Sequence, residues 1–111
     1  MNKLLLGLLA FGSISSFASD ISYPVLIDTA TEITANLSGL REHQVRDKVA
    51  EGIYKNLGKI NVNGEVVLRD ITKMGSYELA SRSSSACTEF YGHRDSCRGT
   101  IRLALKKIIK D

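Results

Sequence analysis

The 111-residue sequence lacks the short motifs that identify most small enzymes. It contains no nucleophile elbow, no phosphate-binding P-loop and no His-Glu-x-x-His run. Its two cysteines do not form the Cys-x-x-Cys pair of redox catalysts. It has only two histidines, which leaves few groups for general acid–base chemistry near neutral pH. These absences favour a binding protein over an enzyme.

Long apolar runs are equally scarce, and no segment reaches the ~20 residues needed to span a bilayer. The main apolar run, residues 4–11, follows Lys3 and precedes small residues that end at Ala18. That order is typical of a cleaved bacterial secretory signal peptide. No lipobox cysteine follows it, which argues against a lipid anchor. We therefore predict a signal peptide over residues 1–18, export to the periplasm or the medium, and a single mature domain over residues 19–111.

Charge is distributed unevenly along the predicted mature domain. Residues 19–81 carry seven basic and nine acidic side chains, a net of −2, whereas residues 82–111 carry seven and three, a net of +4. The basic end is a candidate for contact with an anionic envelope component. The alternative is a solvated face that keeps the domain soluble.

The stretch from Asp28 to Leu57 has helical periodicity after a short extended lead over Ser19–Pro24. Thr29–Glu32 resembles a capping box at its start, and Gly58 supplies a stop. The phase slips at Ser38–Gly39, so we predict two helices or one helix kinked there. The apolar positions are Ala30, Ile33, Leu37, Leu40, Val45, Val49, Ile53 and Leu57.

After Gly58 the apolar period changes to two, which is typical of strands. Ile60–Val62 precedes Asn63–Gly64, a strong hairpin signal. Glu65–Thr72 and Tyr77–Ser83 read as the following strands. The sequence thus predicts an α+β fold, in which an N-terminal helix or helix pair packs on a small antiparallel β-meander.

The last third of the chain is harder to assign. Residues 83–98 read as a loop that contains a serine run and both cysteines. Residues 99–111 fit either a strand or a helix, because Ile101 and Leu105 belong to both patterns. We favour a strand over residues 100–106, since a cystine would then pin a hairpin.

Cys87 and Cys97 are predicted to form a disulfide, because exported cysteines are usually oxidised. A metal site that also uses His93 is the alternative. The spacing matches no common zinc pattern, in which ligands come in closely spaced pairs. We predict neither a metal nor a cofactor.

The disulfide-closed segment 88–96 is the most distinctive candidate surface, because aromatic residues and arginine are enriched at interface hot spots. The alternative is that its aromatic residues pack inward. Together with the basic segment it predicts a non-enzymatic exported binding module whose partner is a protein or an anionic envelope component. Nucleic acid is not favoured. The candidate binding residues are Phe90, Tyr91, His93, Arg94, Arg98 and Arg102.

Two other functions remain open from the sequence. A small secreted hydrolase or toxin, nuclease-like, would use His43 and His93 as its acid and base. A structural component of the cell envelope would need neither histidine. The hydrolase hypothesis requires that the two imidazoles converge, which residue spacing cannot establish.

Overall fold

The computed structural model describes residues 20–110, which form five α-helices and one two-stranded antiparallel sheet. The predicted α+β fold with an N-terminal helix pair, a small antiparallel sheet and one disulfide is confirmed. The predicted signal peptide lies outside the described residues. The elements are α1 (Tyr23–Ser38), α2 (Glu42–Leu57), β1 (Gly58–Ile60), β2 (Val66–Leu68), a 3-10 turn (Ile71–Lys73), α3 (Ser76–Ser83), α4 (Ser85–Tyr91) and α5 (Arg94–Leu105).

Helix α1 begins earlier than the sequence predicted. The backbone N–H of Val25 donates to the Ser22 hydroxyl (3.4 Å), and Pro24 lies in the first turn. Proline fits there because its fixed φ is helical and its missing N–H would have no partner within the helix. The predicted extended lead is therefore wrong over its last two residues, and Thr29–Glu32 is helix interior rather than a cap.

The predicted break between the first two helices is a complete one. Gly39 adopts the left-handed conformation (φ 68°), which glycine reaches without steric penalty. The Leu40 N–H then donates to the Ala35 carbonyl (3.0 Å), which closes the end of α1. Helix α2 ends at Leu57, directly before the predicted stop at Gly58.

The core lies between the helices. Helix α1 packs against α2, α4 and α5, while α3 packs mainly against α5. The apolar positions predicted for α2 are buried as expected, because they recur on one face of the helix. The largest fully buried apolar side chains are Leu26, Val45, Val49, Ile53, Leu57, Leu79, Ile101 and Leu105.

The predicted hairpin is confirmed, but within residues 20–110 it has two strands and no third, and the end of the predicted strand Glu65–Thr72 lies in the 3-10 turn. β1 pairs with β2 through Gly58↔Leu68, Lys59↔Val67 and Ile60↔Val66. Two hydrogen bonds anchor it to the helix pair. The Arg69 N–H donates to the Leu57 carbonyl (3.1 Å), and the Tyr23 hydroxyl donates to the Arg69 carbonyl (2.9 Å).

The second half of the described chain is helical where the sequence suggested strands and a loop. The strand predicted at Tyr77–Ser83 lies in α3, and the loop predicted over residues 83–98 is mostly α4 and the start of α5. The strand predicted over residues 100–106 lies almost entirely in α5. Ile101 and Leu105 are fully buried while Leu103 is 66% exposed, which is the pattern of a helix. None of the helices within residues 20–110 has the length and apolar character to cross a membrane.

Candidate functional site

The disulfide joins two helices rather than closing a surface loop. Cys87 lies in α4 and Cys97 in α5, with their Cα atoms 5.9 Å apart. Both side chains are fully buried. The bond therefore fixes the corner at which α4 turns into α5, and the candidate residues sit on that corner and along α5.

The corner itself is short and contains two of the predicted aromatic and imidazole groups. Gly92 ends α4 in the left-handed conformation (φ 88°), and its N–H donates to the Thr88 carbonyl (2.8 Å). The Tyr91 and His93 rings meet edge to face, with centroids 5.0 Å apart. Phe90 is 37% exposed, so its side chain is only partly covered by the rest of the protein. The predicted loop is thus a helix end, a glycine turn and the first turn of the next helix.

Four cations follow α5 at intervals of four residues, and we call them the cationic row: Arg94, Arg98, Arg102 and Lys106. Side chains four apart lie on the same face of a helix. The adjacent row on α5, Cys97, Ile101 and Leu105, is buried. The cationic row therefore runs along the border of the core, and at about 1.5 Å per residue it is about 18 Å long.

Tyr77 of α3 organises the middle of this row. The guanidinium carbons of Arg98 and Arg102 lie 6.0 and 5.4 Å from the centre of its ring. Both distances are within the range of a cation–π contact. Tyr77 is 56% exposed, so the stack is at the surface.

Tyr77 was not among the predicted site residues, because the sequence pattern placed it in a strand. A helical signal is present nonetheless. Ser76, Leu79, Ala80 and Ser83 are the buried residues of α3, and their spacing is that of one helix face. That pattern would have placed Tyr77 beside the buried stripe.

The cationic row is only sparsely neutralised. Arg98 pairs with Asp95 (3.1 Å), whose side chain is 89% exposed. Among residues 20–110, no carboxylate forms an ion pair with Arg94, Arg102 or Lys106. The Nε atom of Arg102 is buried and has no hydrogen-bond partner in this part of the chain. Residues 94–110 contain six basic side chains and one acidic one, so the row lies in a strongly positive region.

One open depression lies beside Tyr77 and another lies along the row. The one beside α3 has a volume of about 390 Å³ and the one along α5 also about 390 Å³. The first is lined by Asn56, Tyr77, Glu78, Ser81 and Arg82. The second is lined by Asp95, Ser96, Gly99, Thr100, Arg102, Leu103 and Lys106. Their shallow, open form suits contact with a larger partner better than enclosure of a small molecule.

The two histidines lie at the starts of different helices. His43 is exposed in the first turn of α2, and His93 precedes α5. Within residues 20–110, no hydrogen bond or ring contact joins them, and the ring contact of His93 is with Tyr91. No group of three or more potential metal ligands occurs in the described part of the chain. The acid–base pair needed for the hydrolase hypothesis is therefore not assembled by direct contact.

The fold and the site together define a small, mostly helical α+β domain, stapled by one disulfide and carrying a cationic helix face. No protein-family model matches the chain. No curated protein and no solved structure matches it either.

Proposed function

We propose that this protein is an exported, non-enzymatic binding module, and that the cationic row of α5 binds an anionic component of the cell envelope. The signal-peptide pattern of residues 1–18 supports export, and a small domain with a buried disulfide is compatible with it. The absence of catalytic motifs from the sequence supports a binding role. The charge of residues 94–110 supports an anionic ligand.

The observation that carries the proposal is the stacking of two arginines on one tyrosine. A free arginine side chain loses much rotamer freedom when it binds a ligand. Here the ring of Tyr77 already restricts the guanidinium groups of Arg98 and Arg102. Part of the ordering cost of binding is thus met in the unbound protein.

The unmatched charge of Arg102 points the same way. A guanidinium group offers five N–H donors and accepts none. No carboxylate of residues 20–110 forms an ion pair with Arg102, so its terminal N–H groups have donors to offer to phosphate or carboxylate oxygens, whereas its buried Nε does not. Planar donors of this kind suit such oxygens, often in pairs.

Phe90, Tyr91 and His93 extend the proposed surface around the corner from Arg94. The depression there has a volume of about 530 Å³ and is lined by Thr88, Gly92, His93, Arg94, Asp95 and Ser96. We propose that this corner is the rim of the surface. The disulfide of Cys87 and Cys97 would hold the corner in register with the row, because it joins the two helices that meet there.

Co-sedimentation with lipid vesicles tests the proposal. The oxidised protein should bind vesicles that contain phosphatidylglycerol and not vesicles of pure phosphatidylcholine, at about 0.15 M salt. Replacing Arg98 and Arg102 by glutamine should weaken binding roughly thirtyfold, at about 1 kcal/mol for each lost cation. The matched control replaces Lys55 and Lys73, which are exposed and distant in sequence, and changes the net charge equally.

The control distinguishes binding by the cationic row from binding that follows net charge alone. If both pairs of substitutions weakened binding equally, binding would follow net charge and the row would not be the site. An absence of binding to either kind of vesicle would reject the anionic lipid surface as partner. Thermal unfolding of each variant separates a binding role from a structural one, because a fold held by the stack on Tyr77 would melt earlier when it is removed.

The hydrolase and envelope-structure hypotheses stay predictions, and no contact within residues 20–110 favours either of them. Incubation of the purified protein with RNA tests the hydrolase hypothesis directly. Cleavage that disappears with His43→Ala and with His93→Ala would establish a hydrolase, and intact RNA would exclude a ribonuclease.

Mass spectrometry of the exported protein tests the signal peptide, since cleavage after Ala18 leaves residues 19–111.

A further inference from the structure

The hairpin carries a concentration of exposed apolar side chains. Val66, Val67 and Leu68 of β2 are 69, 44 and 40% exposed, and Ile60 of β1 is 73% exposed. Val62, in the turn, is fully exposed. No helix of residues 20–110 covers these side chains, so the hairpin offers apolar surface to a partner.

The outer edge of β2 also offers backbone groups. Ladder bonds run from the Asn61 N–H to the Glu65 carbonyl (2.9 Å) and from the Arg69 N–H to the Leu57 carbonyl (3.1 Å). Hydrogen-bonded and non-hydrogen-bonded pairs alternate along an antiparallel ladder. The backbone groups of Val66 and Leu68 therefore point away from β1, where the sheet described for residues 20–110 has no further strand.

The sequence of β2 and its flanks is self-complementary in charge. Residues 65–69 read Glu-Val-Val-Leu-Arg. If a second copy lies antiparallel with Val67 facing Val67, then Val66 faces Leu68, and Glu65 faces Arg69 of the second copy at both ends. Within residues 20–110, neither Glu65 nor Arg69 forms an ion pair. The Glu65 carboxylate accepts a long hydrogen bond from the Asn61 side-chain amide (3.4 Å), and the Arg69 Nε is buried without a partner in this part of the chain.

We propose that this protein forms a two-fold symmetric dimer in which the β2 edges of two copies pair antiparallel about Val67, making one four-stranded sheet. In this register Val66 and Leu68 of each copy exchange both of their outward hydrogen bonds with the other copy, so four bonds form. The alternation of the backbone groups supports this register. The N–H and C=O of Val67 already point to β1, so Val67 can occupy the non-hydrogen-bonded position between the two copies. The proposal is independent of the cationic row on α5.

The other edge of the hairpin is protected against the same pairing. The equivalent two-fold axis on β1 passes through Lys59, which would then face Lys59 of the second copy. Like charges directly opposite one another destabilise a strand pair, and lysine is a usual guard of exposed edges. β1 has a lysine at the two-fold position, whereas β2 has Val67 there. The edge of β2 is therefore the one expected to pair with a second copy.

The dimer also gives the exposed apolar residues a consistent role. Ile60, Val66 and Leu68 share one face of the hairpin, since cross-strand pairs share a face and the side chains alternate along each strand. Pairing about Val67 joins the two apolar faces into one continuous surface across four strands. Isolated two-stranded hairpins are marginal, and additional strands stabilise them.

Cysteine cross-linking tests the register directly. At a non-hydrogen-bonded pair the two Cα atoms lie about 4.5 Å apart, within the range that a disulfide spans. Val67→Cys should therefore give a covalent dimer in oxidised glutathione. Lys59→Cys, on the same face of the other strand, is the matched control. In the proposed sheet its two copies are three strand spacings apart, about 14 Å, which is out of reach.

We expect Val67→Cys to cross-link at least about tenfold faster than Lys59→Cys at equal protein concentration. Equal rates would overturn the proposal, because they would reflect random collision. Cys87 and Cys97 are bonded to each other and fully buried, so they do not compete. Both substitutions are at exposed sites, and circular dichroism verifies that each variant folds.

Sedimentation equilibrium of charge variants tests the proposal without a cross-link. Glu65→Arg alone and Arg69→Glu alone place like charges together at both ends of the strand pair, and each should raise the dimer dissociation constant about tenfold. The double variant restores opposite charges and should return it to within about twofold of the original. A wild-type protein that stays monomeric, or a double variant no better than either single one, would overturn the proposal.

Discussion

Two buried threonines of α1 provide a test of what stabilises the core. The side chains of Thr31 and Thr34 are 0% exposed, on the helix that packs against α2, α4 and α5. Neither Oγ1 atom has a hydrogen-bond partner within residues 20–110. Each hydroxyl therefore gives up its bonds to water on folding and gains none in return.

Thr31→Val and Thr34→Val remove these hydroxyls with little other change. Valine keeps the β-branch and nearly the same volume, and its helix propensity is close to that of threonine. An unsatisfied buried polar group costs about 1–3 kcal/mol. We therefore expect each substitution to raise the free energy of unfolding by about 1–2 kcal/mol. In a domain of this size the Tm should rise by about 4–8 °C for each kcal/mol.

Urea unfolding followed by far-UV circular dichroism measures the change. Thr72→Val is the matched control, because the Thr72 hydroxyl donates to the Asp70 carboxylate (2.6 Å) and its removal should not stabilise the fold. A lower free energy of unfolding for both α1 variants would refute the reasoning. It would mean that the two hydroxyls donate to a backbone carbonyl or to a buried water.

Two further predictions concern covalent and polar links. Replacing Cys87 and Cys97 together by alanine removes a cross-link over a sequence separation of 10. On the chain-entropy model this costs about 3 kcal/mol, so the Tm should fall by about 12–24 °C; an unchanged Tm would mean that α4 and α5 hold their corner without it. Tyr23→Phe removes the hydrogen bond to the Arg69 carbonyl and should lower the free energy of unfolding by about 1 kcal/mol in urea. Burial raises the pKa of the Tyr23 hydroxyl above its usual 10.0, so the folded state binds this proton more tightly than the unfolded state. That contribution is complete below pH 10.0 and is lost as the pH rises through the folded pKa, and equal alkaline destabilisation of wild type and variant would contradict it.

The first half of the fold could be predicted because its signals are local. The α2 core positions recur at helical spacing, Gly39 breaks the helix pair, and Asn63–Gly64 marks the hairpin turn. Each of these features depends on residues that are neighbours in the sequence. The start of α1 was wrong because Ser22 and Pro24 form a cap that is weaker as a pattern than the capping box at Thr29–Glu32.

The secondary structure predicted for the second half of the chain was wrong because short helices have ambiguous apolar patterns. Helix α3 has eight residues and α4 has seven, too few turns for a helical period to stand out from alternation. In α5, Ile101, Leu103 and Leu105 alternate like a strand. Burial of Ile101 and Leu105 against the other helices, with Leu103 left outside, decides in favour of the helix.

The candidate site divides in the same way. The sequence named the cysteines, the aromatic residues of the corner and the arginines Arg94, Arg98 and Arg102. It did not name Tyr77, whose ring lies under two of those arginines only because α3 packs on α5. A contact between residues that are more than twenty positions apart leaves no mark in local spacing.

The sequence by itself determined the signal-peptide pattern, the asymmetric charge, the hairpin turn and the pairing of the only two cysteines, because each follows from composition or short-range spacing. Only the tertiary structure decided that the cystine joins two helices, that the basic residues form one row beside Tyr77, and that no strand of residues 20–110 pairs with the outer edge of β2. The physical reason is that burial selects among local conformations of similar energy. A seven- or eight-residue segment has no strong preference of its own, and it takes the conformation that lets its apolar side chains reach the shared core.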